Sequence, residues 1–306
     1  MTSPQENISA DVAKHPGTQI DPQIKQFAAS DGYRFHYRHW KPKVERPLGY
    51  VVALHGIQSH SGWYDASSRK MCEAGFDVRY LDRRGSGLNK EERGHAPHHE
   101  RLINDVVQFL TAVRHERNQV APTVPVILLA VSWSGKLAVT VAAQRPELVD
   151  ALALLYPGIC PRIRPSWQQL VKLKLAMWRG WALGDVPIPL DDPALFTAEP
   201  EWQAYIRNDP LALHRATVAF LAASRALDLS AATIPDRLRC PLLLMLAGRD
   251  RIIDTPATHR YYARIASQTK TLIEYPTAAH TLEFEPDREV FLGDLVGWLE
   301  SVRGCC

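Results

Sequence analysis

Apolar and polar positions along this chain follow a strand–helix rhythm that stops once and then resumes. Unbroken apolar runs bounded by turn residues occur at 49–54, 124–131, 151–156 and 241–247. Such runs suit strands covered on both faces, as in a parallel sheet. Shorter strand patterns occupy 76–81 and 270–275, and helical spacing marks 67–74, 104–115, 136–144, 257–266 and 287–302. Ahead of the first buried run, 26–28 and 34–40 flank Ser30-Asp31-Gly32, a hairpin signal. From about Pro161 to Arg239 the strands cease, and the segment is helical and punctuated by proline. The pattern predicts an α/β fold, a doubly wound and mostly parallel sheet, with residues 23–160 and 240–306 forming the core. Residues 161–239 would be an inserted helical cap, and 1–22 a loose polar tail.

Within the inserted segment, Trp167, Leu170, Val171, Leu175, Trp178 and Trp181 share one face, with Lys172 and Arg179 off it. Packing of that face onto the core is the ordinary expectation. Lining of a substrate pocket, with Trp178 as the candidate, and contact with a lipid surface are the functional ones. A second helical run is expected over 211–227.

In open α/β sheets ligands bind beyond the carboxyl ends of the strands. The run 124–131 empties into Ser132 and then a helix, the setting of a nucleophile elbow. Residues two before and two after such a serine must be small; here they are Ala130 and Ser134, giving A-x-S-x-S. A helix N-cap is the bland alternative for Ser132. After 242–247 comes Gly248-Arg249-Asp250, and after 272–275 comes Pro276-Thr277-Ala278-Ala279-His280. The order Ser, Asp, His, each just past a strand, is that of a hydrolase triad. His280 would take the serine proton and Asp250 would orient the imidazole, with Asp254 as the alternative acid. The amides of Trp133, after the nucleophile, and Ile57, after the first buried strand, are the expected oxyanion donors.

Composition narrows the remaining classes. Among 306 residues the net charge is +3, without a basic run, so nucleic acid is not an expected partner. Neither a secretory signal pattern nor a long apolar span is present, and the five cysteines are scattered. A cytoplasmic setting is expected. The Cys305-Cys306 pair reads as a frayed tail in preference to a lipidation site. Gly85-Ser86-Gly87 lacks the third glycine of a dinucleotide fingerprint, since Lys90 stands there. Gly94-His95-Ala96-Pro97-His98-His99-Glu100 carries ligand-type side chains but reads as a polar loop entering a helix, not a metal site. No cofactor and no metal are expected.

The segment His55-Gly56-Ile57-Gln58-Ser59-His60-Ser61-Gly62-Trp63-Tyr64 resembles the oxyanion loop of the monoacylglycerol lipase and lysophospholipase branch of the α/β-hydrolases. Asp82-Arg83-Arg84-Gly85-Ser86-Gly87 is similar to that branch's Asp-x-Arg-Gly-x-Gly turn, and 128–135, 248–250 and His280 match its nucleophile, acid and base segments. The resemblance spans about 26–302 and is weakest in the cap. It implies an α/β-hydrolase fold and a serine hydrolase cleaving carboxylic esters of single acyl chains, without cofactor or metal. It also implies a mobile cap over an acyl tunnel. The expected partner is a lipid or small-molecule ester, with transient membrane-surface contact through the tryptophan face of the cap as the alternative to its packing on the core. His60 would support the oxyanion loop, and His60, Trp63 and Trp178 are the substrate-pocket candidates. Ser59 and Trp63 stand where animal monoacylglycerol lipases carry charged residues; Trp63, with Trp133, would narrow the pocket toward short or aromatic acyl groups. Acyl transfer or thioester cleavage by the same triad, and a silent hydrolase-fold binding protein, are the alternatives.

Overall fold

Residues 21–163 and 166–304 are described by the computed structural model, Leu170 in its backbone alone. The expected tail up to residue 20, and the Cys305-Cys306 pair, lie outside the described residues.

The chain opens with β1 (Gln23–Ala28) and β2 (Arg34–Trp40), an antiparallel hairpin whose turn holds Gly32 at φ +85°. Next come β3 (Tyr50–Leu54), α1 (Asp65–Glu73), β4 (Asp77–Leu81), α2 (His99–Val120), β5 (Val126–Val131), α3 (Ser134–Gln144) and β6 (Ala151–Leu155). The intervening segment contains α4 (Trp167–Trp178), β7 (Asp185–Pro187), α5 (Pro200–Asn208), β8 (Arg215–Thr217) and α6 (Val218–Ala232). The rhythm resumes with β9 (Leu242–Ala247), α7 (Thr255–Ala263), β10 (Lys270–Tyr275) and α8 (Arg288–Ser301).

Eight strands form one sheet in the order β1-β2-β4-β3-β5-β6-β9-β10, parallel from β4 to β10. This is the α/β-hydrolase fold. Every residue of β3, β5, β6 and β9 is buried, as their apolar runs demand, and so is every residue of β4 although it carries Asp77 and Arg79, whereas β10 is an edge strand and mostly half-buried. The register places the functional loops. Leu54 pairs with Ala130, and Val131 with Leu155, so Gly56, Ser132 and Tyr156 leave neighbouring strands at one edge. Tyr275 pairs with Ala247, which brings the loops after β9 and β10 to the same edge.

The inserted segment departs from expectation in two places. The helix expected over 211–227 begins at Val218, because residues 215–217 pair with β7 and the Thr217 side chain caps the helix through the Phe220 amide. The tryptophan face is not packed on the core: Trp167, Trp178 and Trp181 are 72%, 82% and 72% exposed. Helix α4 starts with a Ser166/Gln169 capping box. In the polar loop before α2, His98 caps that helix by accepting from the Arg101 amide, and His95 bonds Thr217.

Candidate active site

Ser132 lies between β5 and α3 with φ +50°, a left-handed conformation that side chains other than glycine adopt at some cost. Surrounding bonds hold it there. Its amide donates to Leu155 O at 3.0 Å, and its carbonyl accepts from the amides of Gly135 and Gly158. Ala130 is fully buried in β5, and the Ser134 hydroxyl donates to the His55 carbonyl. The serine of the A-x-S-x-S pattern therefore ties the elbow to the loop after β3. Crowding is sharp at Gly158, where a Cβ would sit 3.0 Å from Trp133 Cα and 3.1 Å from the Ser132 carbonyl carbon.

The Ser132 Oγ lies 2.9 Å from His280 Nε2, and His280 Nδ1 lies 2.7 Å from Asp250 Oδ2. An ionised carboxylate only accepts, so Nδ1 carries the proton and Nε2 is left to accept from the serine hydroxyl. Asp250 Oδ1 accepts from the amides of Ile252 and Ile253 at 2.7 and 2.9 Å, which fixes the carboxylate. His280 is packed edge-on by Tyr156 at 4.9 Å and Phe196 at 6.0 Å. Asp254 is elsewhere: its carboxylate accepts from Ala257 N and caps α7.

The loop after β3 runs beside the elbow. A Cβ on Gly56 would come within 3.4 Å of Ser132 Cβ. Among the described residues the amides of Ile57 and Trp133 donate no hydrogen bond within the protein. Such unengaged amides, that of Trp133 at the start of α3 and that of Ile57 in the loop after β3, are suited to a developing alkoxide.

A space of about 250 Å³ opens over Ser132 and His280, lined by Gly56, Ile57, Gln58, Ser59, Trp63, Tyr64, Tyr156, Phe196 and Thr281. Of the three pocket candidates read from sequence, Trp63 lines this space, and His60 and Trp178 do not. His60 accepts from Gly62 N through Nδ1 and meets Asp209 through Nε2 at 2.9 Å. Trp63 Nε1 donates to the same Asp209 oxygen at 2.6 Å. His60 and Trp63 are thus both anchored to a carboxylate of the inserted segment. Trp178 faces solvent. Trp133 also turns away from the space: its indole donates to Ser224 on α6 and stacks on Phe220 at 5.2 Å. It does not narrow the pocket; Trp63 and Phe196, 5.8 Å apart, do.

Sequence reasoning passed over Tyr156, Phe196 and Asp209. Tyr156 had a signal, since it directly follows β6 at the functional edge, and its φ of +38° marks a strained site. Phe196 and Asp209 had none, because they reach the site through tertiary packing. Among the described residues no cluster of His, Cys, Asp and Glu is arranged to hold a metal ion.

A family profile described as serine aminopeptidase, S33, matches residues 45–287. A monoacylglycerol lipase of Mycolicibacterium smegmatis is 30% identical over 278 residues, covering 90% of this chain and 96% of that one. A monoglyceride lipase of Rattus norvegicus is 26% identical over 258 residues, covering 84% of this chain and 82% of its own. Among solved structures, a soluble variant of monoglyceride lipase from Saccharomyces cerevisiae, in complex with a substrate analog, matches with a TM-score of 0.81 at 18% identity. It covers 95% of this chain and 99% of that one, a likeness that bears on the fold.

Proposed function

The chain belongs to the serine aminopeptidase S33 family of α/β-hydrolases, in its monoacylglycerol lipase-like branch, and is a carboxylic ester hydrolase; we propose that it cleaves single-acyl-chain esters through an acyl-enzyme on Ser132. The observation that carries this reading is the hydrogen-bonded line from Asp250 through His280 to Ser132, set beside two unengaged amides.

His280 Nε2 takes the hydroxyl proton as Ser132 Oγ attacks the ester carbonyl. The carbonyl oxygen becomes an alkoxide facing the amides of Ile57 and Trp133. Collapse breaks the bond to the leaving alcohol, which receives the proton from His280. A water then attacks the acyl-enzyme by the same proton route, releasing the acid and restoring Ser132. Asp250 holds the imidazole in the tautomer that can accept and stabilises the imidazolium.

Residues 161–239 serve as a cap in this reading, since Phe196 lines the site and Asp209 holds Trp63 from that segment, and Thr281 N donates to Phe196 O at 2.8 Å. The space over Ser132 is hemmed in by the rings of Trp63, Tyr156 and Phe196. Trp63, held by Asp209, lines that space beside Phe196. These features favour short or aromatic acyl groups. In a p-nitrophenyl series from acetate to palmitate, hydrolysis peaks at short chains and falls by at least about tenfold toward palmitate. A flat profile would sink the pocket reading; an absence of hydrolysis across the series would sink the function.

The cap also carries a lipid-facing surface in this reading. Besides the three exposed tryptophans, Val171, Leu175, Met177 and Leu183 are exposed on or just after α4. Exposed tryptophans beside aliphatic side chains suit the boundary between water and acyl chains. No helix among the described residues is long and apolar enough to cross a membrane, so contact would be at the surface. Trp178→Ala is expected to weaken sedimentation with phosphatidylcholine vesicles and leave Tm within about 1 °C, because an exposed side chain supports little packing. A lowered Tm with unchanged vesicle binding would instead assign Trp178 to packing.

A further inference from the structure

One buried cation has no part in the proton route. Arg83, just past β4, is 7% exposed. Its Nη1 donates to Gly56 O at 3.2 Å and its Nη2 to Ile57 O at 3.1 Å. The guanidinium lies 4.7 Å from the centre of the Trp133 ring and 5.0 Å from that of Phe220. Among the described residues no carboxylate hydrogen-bonds it. The neighbouring Asp82 carboxylate is engaged by the amides of Ser61 and Leu88. Burial, and after it the nearby Arg93, work against the Arg83 charge, yet a guanidinium remains a cation near neutral pH.

The two carbonyls that Arg83 engages are informative. The Gly56 carbonyl belongs to the same peptide group as the Ile57 amide. A charged donor on a carbonyl draws electron density through the peptide and makes its N–H a stronger donor. The second amide facing the alkoxide belongs to Trp133, whose ring the guanidinium covers. One side chain thus touches the residues that supply both halves of the oxyanion hole. His55 Nδ1 also donates to Gly56 O, at 2.7 Å, but burial pushes that imidazole down to about 3, so it is neutral. The charge comes from Arg83.

We propose that Arg83 is a positioning residue of the oxyanion hole, clamping the Ile57 loop against Trp133 and polarising the Gly56–Ile57 peptide toward the developing alkoxide. The inference rests on the acyl-enzyme reading at Ser132. A stabilisation that grows as charge develops acts on kcat and not on substrate binding.

The test compares Arg83→Gln and Arg83→Lys in the full chain, with p-nitrophenyl butyrate as substrate and a butyl trifluoromethyl ketone as transition-state mimic. Arg83→Gln is expected to lower kcat by about tenfold or more with KM within about twofold, a fraction of what loss of a whole oxyanion donor does. Affinity for the ketone, which forms an alkoxide on the serine, falls by the same factor. Arg83→Lys recovers part of the loss, keeping the charge but neither the fork nor the stack. A wild-type kcat in Arg83→Gln, or a lowered kcat with unchanged ketone affinity, overturns the proposal. If Arg83→Gln does not fold, Arg83→Lys decides, and a wild-type kcat there overturns it. Ser132→Ala runs in parallel: activity surviving that change, or absent from wild type, defeats the Ser132 reading and the Arg83 proposal with it, whereas activity lost in Ser132→Ala beside a wild-type kcat in Arg83→Gln defeats the Arg83 proposal alone.

Discussion

Ser132→Ala abolishes measurable ester hydrolysis, lowering kcat by about a million-fold where a triad serine acts with its histidine as a unit. The expected Tm is close to wild type. Alanine keeps the Cβ, so it bears the same left-handed strain at φ +50°, and the backbone bonds from Leu155, Gly135 and Gly158 are untouched. What disappears is the hydroxyl 2.9 Å from His280 Nε2. The residual rate reports what the oxyanion amides and binding supply alone, about a thousand-fold over water in comparable sites. Hydrolysis of p-nitrophenyl butyrate, read beside a thermal melt, checks both parts. A mutant retaining even a tenth of the wild-type rate means that the nucleophile is another residue.

The sheet was legible because its strands are written as unbroken apolar runs. Burial on both faces leaves no polar alternation to blur them, and β3, β5, β6 and β9 fall within a residue or two of the expected bounds. Ser132, Asp250 and His280 were legible for a related reason. Parallel strands send their loops to one edge, so the residues just past the strand ends together make up one surface. The same rule, applied after β6, would have found Tyr156.

The inserted segment resisted the same treatment. Periodicity shows that α4 has an apolar face but not what covers it, and the face that packing was expected to bury is exposed. Around 211–217 apolar residues at helical spacing sit in a loop and a short strand, since pairing with β7 overrides local preference. Asp209 carries no local mark at all, yet it joins His60 and Trp63 across well over a hundred residues of chain. Arg83 stands at the variable position of the Asp-x-Arg-Gly-x-Gly turn after β4, where no motif marks it, and its meaning depends on the carbonyls of Gly56 and Ile57 that it engages.

The sequence left Asp254 open as the acid, and the structure turns that ambiguity into a paired experiment. Asp250 lies 2.7 Å from His280 Nδ1, whereas Asp254 spends its carboxylate on the first turn of α7. Asp250→Asn keeps the shape and the bonds from Ile252 and Ile253 but offers His280 an amide in place of a charge. If the amide nitrogen faces Nδ1, the imidazole must carry its proton on Nε2, where it cannot accept from Ser132. A loss of about 10⁴ in kcat at neutral pH is expected, with KM nearly unchanged. Asp254→Ala removes only a helix cap: it should cost about 1 kcal/mol of stability in a denaturant titration and leave kcat within about twofold. If the two variants exchanged these effects, the acid would be Asp254 and the line through Asp250 a packing contact. If both retained activity, His280 would be working without a carboxylate partner, and the roles assigned to Ser132 and His280 would have to be redrawn.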